Sequence, residues 1–117
     1  MARLSTHVLD TSRGQPAQGL AVELHILRDA ERQRLAATTT NTDGRTDVPL
    51  LSAERLETGT YELTFHAAEY FRHAGVLLAD PPFLGDIVIR FGIADPHGHY
   101  HVPLLLCPYG YSTYRGT

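Results

Sequence analysis

The stretch from His97 to Thr117, HGHYHVPLLLCPYGYSTYRGT, narrows the possible folds more than any other part of the chain. Two strand-like runs flank the turn-rich Pro108-Tyr109-Gly110, a pattern that predicts a β-hairpin with a loop of about four residues. Side chains alternate along a strand, so Tyr100, Val102, Leu104 and Leu106 fall on one face and His99, His101, Pro103 and Leu105 on the other. With a loop from Pro108 to Tyr111, Cys107 opposes Ser112 and His101 shares a face with Tyr114. A loop one residue shorter would set His101 and Tyr114 on opposite faces, because a one-residue slip inverts the whole side-chain set.

The rest of the chain repeats the theme of short strands between turn signals. Leu4 to Leu9 is followed by the turn-forming cluster from Asp10 to Gly14. From Leu20 to Ile26, the apolar Leu20, Val22, Leu24 and Ile26 alternate with Ala21, Glu23 and His25, as in a half-buried strand. The run from Gln33 to Thr40 is its expected antiparallel neighbour, across a polar loop from Arg28 to Arg32. Thr42-Asp43-Gly44-Arg45 is a tight turn, and Leu50 to Thr58 is irregular or weakly helical. Tyr61 to Phe65 forms another strand, Ala67 to His73 a short helix closed by Gly75, and Asp86 to Ile93 a further strand beyond Pro81-Pro82. Seven to eight short strands, one helix and no repeats predict an all-β protein, an antiparallel β-sandwich.

A chain of 117 residues suits one domain, residues 1–117, with a single core. Its charged share of 20% and hydrophobic share of 43% are those of an ordinary globular protein, which argues against disorder. A net charge of −3 and the lack of any Lys/Arg cluster give no footprint for nucleic acid. The lone Cys107 excludes an intramolecular disulfide and fits a reducing compartment. The opening MARLSTHVLDTSRG lacks a signal-peptide core, and no run approaches membrane-spanning length. A cytoplasmic protein without membrane or nucleic-acid partners is expected.

Candidate chemistry centres on histidine. His97, His99 and His101 alternate, and on a strand all three imidazoles could converge on a metal. The competing reading makes Asp95-Pro96-His97-Gly98 a turn, which takes His97 out of register. No second cluster of Cys, Asp or Glu at ligand spacing supports a metal. His7 lies in the first strand with Leu9 on its face, where a lone histidine is more often structural than catalytic. Arg45 follows the Asp43-Gly44 turn, where a charged residue is usually just solvated. His25, His66 and His73 are expected at the surface, and Cys107, with no adjacent base, is expected to be a buried, unreactive thiol.

Three segments together resemble the 5-hydroxyisourate hydrolases, the transthyretin-like branch of purine catabolism. They are Leu4 to Ala17 (LSTHVLDTSRGQPA), Thr42 to Arg45 (TDGR), and Tyr100 to Leu106 (YHVPLLL) with the tail Tyr114-Arg115-Gly116-Thr117. The tail is the most specific part: these enzymes typically end Tyr-Arg-Gly-Ser, and transthyretin hormone carriers lack that ending. Thr117 stands where serine is usual and keeps the hydroxyl.

The resemblance implies a transthyretin-like β-sandwich with one short helix, assembled as a homotetramer with its sites where two dimers meet. It also implies a small-molecule substrate, 5-hydroxyisourate, whose cyclic amide is opened by water to 2-oxo-4-hydroxy-4-carboxy-5-ureidoimidazoline, with no cofactor and no metal. By position in the family's motifs, His7, Arg45, His101 and Thr117 are the expected catalytic residues, and His7, Arg45 and Tyr114 the expected substrate-binding ones. Water attack on a carbonyl calls for a base of near-neutral pKa, which His7 or His101 would supply. Arg45 would meet the anionic oxygens. A transthyretin-type carrier using the same fold without catalysis is the alternative, and a generic β-sandwich interaction module, which would give the histidines no role, is a second rival.

Overall fold

The computed structural model describes residues 2–117. Its elements run β1 (Arg3–Asp10), β2 (Gln15–Pro16), β3 (Ala21–Arg28), β4 (Glu31–Thr39), β5 (Gly59–Phe65), α1 (Ala67–His73), β6 (Ile87–Ile93), β7 (His99–Cys107) and β8 (Gly110–Thr113). They form two four-stranded sheets of order β2-β1-β7-β8 and β4-β3-β5-β6. The core lies between them. Leu4 and Val8 of β1 and Leu104 and Leu106 of β7 meet Val22, Leu24, Ile26, Leu63 and Phe65 of the other sheet, all essentially inaccessible. Each such side chain contributes about 1.5–3 kcal/mol by leaving water.

The alternation read from the sequence thus holds in β1 and β6, and in β3 and β7 except at the buried His25 and Pro103. The helix spans the expected residues and buries Ala67, Ala68, Tyr70 and Phe71. Its Tyr70 hydroxyl donates to Oδ2 of Asp10, a fully buried carboxylate at the end of β1 that also accepts from Ser12. Burial, then that bond, pushes the Tyr70 phenol up to about 12.

Several expectations are corrected. The sandwich is antiparallel except at its centre, where β1 and β7 pair in parallel over eight residues, from Arg3 opposite His99 to Asp10 opposite Leu106. Strands so far apart in sequence need no hairpin, so nothing local dictates their direction. In the last hairpin Cys107 pairs with Gly110 and Leu106 with Tyr111, so Pro108 and Tyr109 alone make the loop. Two-residue loops are the commonest hairpin connection, and this one adds a pair to the ladder. The expected pairing of Cys107 with Ser112 is off by two residues, an even slip that preserves the faces within β8; Tyr114, expected to share the face of His101, lies beyond the end of that strand.

The loop before β4 is likewise only Asp29 and Ala30, with Asp29 in the left-handed region at φ 54°. His25 is buried, not on the surface: it keeps the outward face of the sheet, opposite Glu62, but Arg32 covers it there, its guanidinium also donating to Glu62 and Thr64. Cys107 is half-buried instead of buried. His66 is partly buried, its two ring nitrogens bound to Asp86 and Glu23, while His73 is exposed as expected. No helix among the described residues is long and apolar enough to cross a membrane.

Candidate active site

The parallel pairing of β1 with β7 builds the site. It sets Ser5 beside His101 and His7 beside Pro103 on the outward face of the sheet, opposite the buried Leu4, Thr6 and Val8. Arg45 arrives from the turn after β4 by a single antiparallel bridge to His7. That turn is pinned to β1 by a hydrogen bond from the Val8 amide to the Gly44 carbonyl, 2.8 Å. Gly44 has φ 75°, and a Cβ there would lie 2.3 Å from the Val8 carbonyl oxygen. Only glycine allows this approach, so the residue that makes the turn also fixes the distance from Arg45 to the sheet.

The chain's end closes over His101. The Gly116 amide donates to the His101 carbonyl at 2.7 Å, and a Cβ on Gly116 would sit 2.7 Å from the ring's Cδ2. Arg115 anchors this return, its guanidinium 4.2 Å from the centre of the Tyr100 ring and donating to the His99 carbonyl. The His101 ring takes one side-chain hydrogen bond among the described residues, 2.8 Å between Nδ1 and Ser5 Oγ.

Both imidazoles are half-buried and both lose affinity for a proton. Burial lowers the pKa of His101 most, followed by the charges of Arg45, His7, His99 and Arg3. Burial and then Arg45 lower that of His7, with Asp43 opposing through its backbone and its charge. At neutral pH both rings are therefore in the base form. A cleft of about 210 Å³ opens alongside, lined by Arg3, Ser5, Arg45 and residues 46–49. Neither histidine lines it; in one chain they stand on an open sheet face beside the half-buried Leu9 and Leu105.

The other expected residues lie further out. Tyr114 is 59% exposed and lines a second cleft, between the β6 and β8 edges, with Ile89, Phe91 and Arg115. Thr117 is exposed beyond Gly116. His97 sits in the turn before β7, and no three His, Cys, Asp or Glu side chains among the described residues gather as a metal site. Ser5 is a site residue that the sequence does not single out. Its place two residues before His7, on the same face, is the one signal that could have marked it.

Comparison with known proteins gives the family of the chain. Residues 4–116 match the Transthyretin model, described as the HIUase/Transthyretin family. The chain is 58% identical over 115 residues to 5-hydroxyisourate hydrolase 2 of Rhizobium meliloti (strain 1021), covering 98% of this chain and 96% of that one. A crystal structure of (S)-allantoin synthase is similar with a TM-score of 0.93 at 42% identity, covering 99% of this chain but only 44% of that protein. Sea bream transthyretin in complex with thyroxine is similar with a TM-score of 0.87 at 26% identity, over 99% of this chain and 96% of that one. The full-length match to the family model and the identity to the enzyme lead to one conclusion: this chain belongs to the HIUase/Transthyretin family.

Proposed function

We propose that this protein hydrolyses 5-hydroxyisourate, opening its cyclic amide to 2-oxo-4-hydroxy-4-carboxy-5-ureidoimidazoline. The observation that carries the reading is the convergence of two proton-poor imidazoles and a guanidinium on one sheet face, from positions 7, 45 and 101. Water adds to the amide carbonyl carbon while one imidazole takes its proton. The other imidazole orients the water, and charge gathers on the carbonyl oxygen. Arg45 meets that charge with its planar fork. The carbon–nitrogen bond then breaks as the imidazolium returns its proton to the leaving nitrogen. Tyr114 would hold substrate and the Thr117 hydroxyl would line the pocket.

The open histidine face with Leu9 and Leu105 supports assembly as a homotetramer, in which a second copy would wall the site and could bring Tyr114 and Thr117 to it. Light scattering at micromolar concentration tests this, and a monomer mass would rule it out. A single domain, residues 1–117, and a cytoplasmic setting complete the reading.

The decisive assay follows the ultraviolet absorbance of freshly made 5-hydroxyisourate. Added protein should accelerate its loss well beyond the spontaneous rate, and an unchanged rate would favour the transthyretin-type carrier. The lower identity to the thyroxine-bound relative, 26% against 58%, favours the enzyme.

A further inference from the structure

We propose that Ser5 is the positioning residue of the site: its hydroxyl accepts the Nδ1 proton of His101, locks the ring, and leaves Nε2 as the base. The inference rests on the hydrolase reading, from which the tautomer is argued; the Ser5–His101 contact itself does not. The Ser5–His101 contact arises from the parallel register of β1 and β7, which makes the two residues cross-strand partners on the same face. At 2.8 Å it is a full hydrogen bond. A histidine base commonly has its second nitrogen held by a carboxylate. Here the ring's one side-chain hydrogen bond among the described residues is to a neutral hydroxyl, that of Ser5.

The chemistry decides which partner donates. A neutral imidazole carries one N–H. Were Ser5 to donate to Nδ1, the proton would sit on Nε2 and neither nitrogen would be free to take another from water. With Nδ1–H donating to Ser5 Oγ, the Nε2 lone pair can take a water proton. The oxygen of that water bonds to the carbonyl carbon, and the imidazolium keeps its Nδ1–H bond to Ser5. The Nε2 proton then passes to the departing nitrogen. The Ser5 bond survives every protonation state, whereas a Ser5-donated bond would break on the first transfer. Gly116 closes the other side of the ring, its missing Cβ leaving room for Cδ2. The ring is thus held between β1 and the tail.

The test reads the tautomer directly, by long-range proton–nitrogen correlation of the protein labelled with ¹⁵N-histidine, at a pH where His101 is neutral. Wild type should show Nδ1 protonated and Nε2 bare. Ser5→Ala should lose that preference and Ser5→Thr, which keeps the hydroxyl, should restore it. In parallel, Ser5→Ala should lower kcat about tenfold or more with KM little changed, as expected when an oriented proton acceptor is loosened and substrate contacts are not. Its thermal midpoint should stay near wild type. Should Ser5→Ala fail to fold, Ser5→Cys gives the same readings with a poorer acceptor.

A wild-type Nε2–H tautomer overturns the proposal, as does a Ser5→Ala protein that keeps both the wild-type tautomer and its rate. A wild type with the Nδ1–H tautomer that never hydrolyses 5-hydroxyisourate would instead retire the reaction and leave the Ser5–His101 assignment standing.

Discussion

Replacing Gly44 by alanine should separate the two jobs of the turn that carries Arg45. Gly44 has φ 75°, where an L-residue is disfavoured by about 1–2 kcal/mol. Gly14 has φ 67° and nothing within 4 Å of the place a methyl would take, so Gly14→Ala should lose that amount and no more. At Gly44 the methyl meets the Val8 carbonyl at 2.3 Å and must retreat beyond 3.0 Å. Val8 belongs to a strand paired on both sides, so the turn moves and the strand does not. The Val8 amide bond to the Gly44 carbonyl then stretches or breaks, adding about 1 kcal/mol. Urea unfolding should put Gly44→Ala about 2–3 kcal/mol below wild type, against the smaller loss for Gly14→Ala. Arg45 moves with the turn, away from His7, and a displacement of about 1 Å beside a reacting centre costs on the order of 100-fold. Hydrolysis of 5-hydroxyisourate should therefore fall about 100-fold in Gly44→Ala and stay near wild type in Gly14→Ala. If the two variants match in both stability and kcat/KM, the turn does not set the position of Arg45.

Changing His7 or His101 to Asn, or Arg45 to Ala, should each lower turnover by about two to four orders of magnitude with the thermal midpoint unchanged. Exposed His73→Asn is the control, a role His25 cannot fill because it is buried against Arg32; normal turnover in any of the three site variants would remove that residue from the mechanism. The acid limb of kcat/KM should fall below the ordinary histidine value of 6.5, since burial and Arg45 keep both rings deprotonated as pH drops, and a limb above 6.5 would contradict this. Gly116→Ala should push a methyl into the His101 ring and reduce activity more than stability, which paired unfolding and rate measurements on one preparation would check. His66 behaves in the opposite sense: burial works against its charge, but bonds to Glu23 and Asp86 outweigh it and the pKa ends raised. The stability it supplies is complete below its unfolded value of 6.5 and disappears as pH rises through the folded one, so His66→Asn should destabilise at pH 6 and much less at pH 9 in urea titrations.

What could be known from the sequence alone was what neighbouring residues decide among themselves. The alternation of Leu20, Val22, Leu24 and Ile26 says which face is buried whatever it packs against, and the helix from Ala67 to His73 ends where glycine takes over. The family was legible too, because its motifs at His7, Asp43 to Arg45 and Tyr114 to Thr117 are short and local. The site itself belongs to the tertiary structure. His7, Arg45 and His101 meet only because β1 lies parallel to β7, and Ser5 reaches His101 because the register makes them partners. A strand's pattern records a face but neither the partner nor the direction, since alternation looks the same in both and is blind to a slip of two. The length of the hairpin loop is therefore hidden in the sequence, whereas the face of His101 is not. His25 shows the converse, a residue that keeps its polar-face position and is nonetheless buried there, because an arginine from the next strand covers it. Hydrogen bonds between residues 96 apart are set by packing the whole chain together, and no window along the sequence contains both ends of them.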